Sequence, residues 1–100
     1  MQRVSNYDIE ILLLQAGESA RKRTVHCLHT SDAASVQRLV NAILPTSYVP
    51  PHMHDEKIEL LTILRGRVAI LQFNTIGDVE RVLVIDEAGP LRLVDIPPQT

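Results

Sequence analysis

The sequence predicts a mostly β domain, an antiparallel sandwich or barrel, with one α-helix ahead of it. Three observations carry this. From Leu60 onward, short runs rich in Val, Leu and Ile recur at regular spacing, separated by turns that contain Gly66, Gly77 or Gly89. Such spacing is typical of antiparallel sandwiches and barrels. Only one stretch, near the start, has helical periodicity. Aromatic residues make up 3% of the chain and Trp is absent, so the core must be aliphatic. One domain spanning residues 1–100 is expected, with the helix at about 6–20 and the strands within 24–96.

The helix comes first. Ile9, Leu12, Leu13 and Ala16 form an i, i+3, i+4, i+7 stripe. Asp8 sits near the start, where a negative charge suits the positive end of the helix dipole. Gly17 either ends the helix or begins a frayed last turn. The stripe implies packing across a sheet or a partner subunit, with a membrane-surface helix as the lesser alternative. Ile9 to Leu14 is far too short to span a bilayer and carries Glu10.

Arg21-Lys22-Arg23 reads as a solvated connection, or as an anion site for a phosphate or sugar nucleotide. Thr24 to His29 reads as a short strand. His26 and His29 are three apart and face opposite sides of it, so they do not share a metal. Cys27 and His29 do share a face, and read as a small buried thiol and a surface imidazole. Val36 to Leu44 reads as a strand rather than a helix, because it lacks a clean helical stripe. Gln37 and Asn41 then share a face, either as polar groups of a substrate pocket or as an exposed surface.

Pro45-Thr46-Ser47 turns the chain. Tyr48 to His54 is expected to be extended, because Pro50-Pro51 fixes φ and disfavours helix. Leu60–Leu64 and Val68–Phe73 are expected to form a hairpin through Arg65-Gly66-Arg67. Val79–Ile85 and Leu91–Ile96 follow as strands, after turns at 74–78 and 86–90.

The chemistry concentrates at His52-Met53-His54. Side chains alternate along an extended chain, so both imidazoles point to one side. Asp55-Glu56-Lys57 reads as a turn, which lets Glu59, at the start of the next strand, face back. Two imidazoles and a carboxylate make a site for Zn, Fe(II), Mn, Ni or Cu. Tyr48 has the same parity as the histidines. Its phenol is a candidate catalytic proton donor or substrate hydrogen-bond partner.

The net charge of −2 and a pI near 6.0 give no field that would draw nucleic acid or an anionic membrane. The single cysteine excludes an internal disulfide, and no secretory signal is present, which fits a cytoplasmic protein.

The spacing His52-x-His54, four residues, Glu59, six residues, Gly66 resembles the first motif of the cupin superfamily. The chain is similar to the WbuC-type cupin metalloproteins in particular. That likeness runs through Ala16 and Ser19, Arg21-Lys22-Arg23, Val36-Gln37-Arg38, Asn41-Ala42, Tyr48-Val49, Pro51 to His54, Lys57, Glu59, Leu64 to Arg67 and Phe73. It implies a cupin-type jelly-roll barrel in a bacterial, cytoplasmic protein. It also implies a divalent ion (Fe, Zn, Mn or Ni) held by His52, His54 and Glu59. The implied work is isomerase, epimerase or dioxygenase chemistry on a small molecule, such as a sugar or sugar nucleotide of surface-polysaccharide metabolism. The alternative is a non-catalytic small-molecule-binding or accessory domain with a degenerate, empty site.

Two departures from the cupin pattern stand out. Thr46 replaces the glycine that opens the first motif. Ile96-Pro97-Pro98-Gln99-Thr100 resembles the start of the second motif, and the third histidine of that motif would fall beyond Thr100. Open sheet edges would then favour a homodimer.

Overall fold

In a computed structural model describing residues 1–100, the chain divides into two compact units, Met1–Val49 and Pro50–Thr100.

The first unit is one helix on a two-stranded sheet. Helix α1 runs Asn6–Glu18, and strands β1 (Arg23–Cys27) and β2 (Leu39–Ile43) pair antiparallel, with Thr24 opposite Ala42 and His26 opposite Val40. The predicted stripe is the packed one: Leu12 and Ala16 are buried and join Ala42 in the core, with Leu13, Val40 and Leu44 against them. Gly17 lies inside the last turn and faces Leu44, while Ser19 is the C-cap. The basic run is used locally. Lys22 Nζ donates to the Gly17 carbonyl at 2.7 Å, a favourable place for a cation at a helix C-terminus, and Arg23 Nη1 donates to the Tyr48 carbonyl at 2.6 Å.

Helix α1 starts with a capping box. The Ser5 hydroxyl oxygen accepts from the Asp8 N–H, and Asp8 Oδ2 accepts in return from the Ser5 N–H at 2.7 Å. The hydrogen bond from the Ser5 backbone, then that from its hydroxyl, hold the Asp8 carboxyl below the usual carboxylate value of 3.8. A depressed folded-state pKa contributes stability that is present above the unfolded value and lost as the pH falls through the folded one. Helical circular dichroism of the native chain should therefore begin to fall below about pH 3.8, and Asp8→Asn should flatten that part of the titration. An unchanged acid limb in Asp8→Asn would exclude the capping carboxylate as its source.

The second unit contains four strands: β3 (Glu59–Thr62), β4 (Arg67–Phe73), β5 (Val79–Asp86) and β6 (Leu93–Ile96). They pair as nested ribbons. β4 pairs with β5, Val68 opposite Ile85, while β3 pairs with β6, Glu59 opposite Ile96. The inner turn is built by Asn74, whose Oδ1 accepts from the N–H groups of Ile76 and Asp78. Asp86 organises the next turn by accepting from Ala88 N–H, and Arg67 Nε reaches its other oxygen at 3.0 Å.

The expected hairpin between Leu60–Leu64 and Val68–Phe73 does not form. Gly66, at φ 83°, donates its N–H to the Glu87 side chain and accepts from the Glu87 N–H. The Gly66 turn is therefore tied to the turn after β5, and β3 is left to pair with β6. No atom lies within 4 Å of where a Gly66 Cβ would stand, so Gly66→Ala meets only the left-handed backbone penalty. A loss of about 1–2 kcal/mol in chemical denaturation is expected. A loss below about 0.3 kcal/mol would show that the turn changes conformation freely.

The jelly-roll barrel is also corrected. The three sheets are separate and two-stranded, and none closes on another. A barrel needs a continuous ladder of hydrogen bonds around its circumference. Here each ribbon satisfies only its own partner. One face of β4–β5 (Leu71, Phe73, Val82 and Val84) stays exposed, and Ile85 is the one buried hydrophobic of the second unit.

Candidate metal centre

The site is built on the loop between Pro50 and β3. Pro50 and Pro51 each lack an N–H and have fixed φ, so this stretch joins no ladder. The alternation of His52 and His54 survives nonetheless. The two rings meet edge to face, with centroids 5.2 Å apart and planes at 84°. A bend at Asp55-Glu56 then turns the chain into β3, whose first residue is Glu59.

His54 Nε2 lies 3.5 Å from Glu59 Oε2. That is long for a hydrogen bond. It is close to the roughly 3.3 Å that separates two donors on one tetrahedral ion with bonds of about 2.05 Å. One donor atom from each of His52, His54 and Glu59 falls within 4.8 Å of the others. Closing on an ion thus needs a movement of about 1 Å in exposed side chains, within rotamer adjustment.

The donor atoms can be assigned. His52 Nδ1 lies 3.1 Å from the Pro50 carbonyl oxygen. A carbonyl only accepts, so Nδ1 carries the proton and the Nε2 lone pair is left for a metal. Metal-binding histidines commonly donate their second ring nitrogen in this way. Two neutral imidazoles and a carboxylate make a ligand set of charge −1, suited to a divalent cation, and Asp55 and Glu56 add negative charge to the same loop.

The other predicted site residues fall in the first unit. Tyr48 is exposed, and its carbonyl receives Arg23. Gln37 precedes β2 and donates to the Asp32 carbonyl, and Asn41 is exposed on β2 opposite Val25. His29 Nδ1 accepts from the Arg38 N–H at 3.0 Å, and Cys27 is an exposed free thiol. His26, Cys27 and His29 form no metal-binding group. Two contacts were not legible in the sequence because they are made by main-chain atoms: the Pro50 carbonyl on His52, and Gln99 N–H donating to the His54 carbonyl at 2.7 Å. Their only signal is a proline doublet ahead of each, or within it, at 50–51 and 97–98.

No helix is long and apolar enough to cross a membrane. No curated protein and no solved structure matches the chain. The cupin and WbuC likeness is overturned, because the family match lies elsewhere and the sheets do not form a barrel. The sugar or sugar-nucleotide metabolism implied by that likeness falls with it, as does the accessory domain with a degenerate site. Residues 4–85 match the family model described as Domain of unknown function (DUF6016), and the chain belongs to that family.

Proposed function

We propose that this chain is a metal-binding domain that holds one divalent first-row transition ion on His52, His54 and Glu59. The observation that carries the proposal is the convergence of the three donor atoms within 4.8 Å. Imidazole favours Zn(II), Fe(II) or Ni(II), with Mn(II) also served by the carboxylate. Ca(II) and Mg(II) prefer all-oxygen sites. His54 and Glu59 side chains are 44% and 38% exposed, so a bound ion keeps coordination positions open to solvent. Such an ion supplies a Lewis acid. The residues orient it: the Pro50 carbonyl fixes the His52 tautomer, and β3 fixes Glu59.

The test is metal content of the untagged protein after reconstitution with Zn(II) or Co(II) and removal of excess ion. One ion per chain is expected. Co(II) should give visible d–d bands of a low-symmetry nitrogen and oxygen site. Absence of bound ion after reconstitution with either metal would refute the proposal.

A further inference from the structure

We propose that Pro97–Thr100 is a brace for the metal ligands, with Gln99 as a positioning residue that acts through its backbone N–H. The inference rests on the metal reading above and extends it to a part of the chain that supplies no ligand.

Three observations converge on this segment. Glu59 is paired with Ile96 at the end of the β3–β6 ladder. Beyond the ladder the two chains meet once more, where Gln99 N–H donates to the His54 carbonyl at 2.7 Å. From Glu59 back to His54 is five residues, whereas from Ile96 on to Gln99 is three. The ligand strand therefore loops out two extra residues at the Asp55-Glu56 bend, and the Gln99 bond closes that loop. His54 and Glu59, the two ligands already at 3.5 Å, are thus both fastened to one partner strand and its extension.

The third observation is backbone conformation. Gln99 has φ 62°, in the left-handed region that residues with a side chain seldom occupy. Such a conformation persists where its surroundings over-determine it. Here it belongs to the turn at Pro98-Gln99 that presents the Gln99 N–H to the His54 carbonyl. Pro97 and Pro98 stiffen the approach by fixing φ at two successive residues. Supports of this kind around metal ligands typically affect affinity by about 10–100-fold, and a single backbone hydrogen bond belongs near the lower figure.

The experiment uses the full chain and two substitutions. Gln99→Pro removes the N–H and forbids positive φ. Gln99→Gly keeps the N–H and relieves the backbone. Zn(II) affinity is read by competition with a chromophoric chelator, and ligand geometry by the Co(II) d–d spectrum. Gln99→Pro should weaken Zn(II) by roughly tenfold or more and shift the Co(II) bands. Gln99→Gly should bind at least as tightly as the native chain.

Hydrogen exchange of the native protein gives a reading that does not depend on the variants folding. Coupling is reciprocal, so Zn(II) should slow exchange of the Gln99 amide by a similar factor of about ten. Unchanged Zn(II) affinity and Co(II) spectrum in a folded Gln99→Pro protein would overturn the brace and leave the metal site standing. An amide whose exchange ignores Zn(II) would do the same. Failure of the native chain to bind either ion would overturn the brace together with the site.

Discussion

His54→Ala should abolish metal retention and leave the fold intact. His54 is the ligand nearest to a second one, at 3.5 Å from Glu59 Oε2, and its ring is T-stacked on His52. Removing it leaves one imidazole and one carboxylate, which cannot hold a borderline ion against water. The loss should exceed the roughly 10–100-fold typical of outer-shell supports. The side chain is well exposed and belongs to no packed cluster, so melting of the metal-free protein should move little. Glu59→Gln is the complementary change. It keeps the shape but removes the charge that balances the cation. Elemental analysis with parallel thermal melts reads both effects. An ion still bound at one per chain in His54→Ala would remove that residue from the ligand set.

Leu12→Ala should lower stability by roughly 2–3 kcal/mol. The first unit has a small core, with only Leu12, Ala16 and Ala42 buried in it. Leu13, Val40 and Leu44 border the gap left by Leu12 and can close on it in part, and its 8% exposure also keeps the cost in the lower part of the usual range. Ala16 is fully buried where the helix meets β2, so Ala16→Leu should also destabilise, by about 1–3 kcal/mol through overpacking. Losses in both directions would show that the helix packs closely on its ribbon. Urea denaturation monitored by helical circular dichroism measures both. A neutral Leu12→Ala would mean that the helix is held by its caps rather than its stripe.

Local rules made some of this legible and long-range pairing hid the rest. The helix stripe followed from the spacing of Ile9, Leu12, Leu13 and Ala16, and the turns from Asn74, Gly77, Asp86 and Gly89. The convergence of His52 and His54 followed from alternation alone. The partner of β3 did not follow from anything local. Val, Leu and Ile say that a stretch is a strand, but not which strand it meets, and the short Arg65-Gly66-Arg67 link made a hairpin the natural reading. The decision rests with Glu87, which binds both main-chain groups of Gly66 from 21 residues away. The barrel failed for the same reason. A motif of two histidines, a glutamate and a glycine specifies a ligand arrangement that a simple ribbon can present as well as a barrel.

The nesting of one ribbon inside another sets an order of assembly. β4 and β5 are joined by a short turn and can zip locally. β3 and β6 are separated by about 30 residues, and closing that loop in an open chain is slow. Once the inner ribbon has formed, the effective loop shrinks to about 10 residues. This reduces the closure entropy by about 1 kcal/mol. The strand that carries Glu59, and the Gln99 contact beyond it, are therefore completed last. The ligands reach their final spacing only after the rest of the unit is in place, so an ion captured there reports that this unit has finished folding.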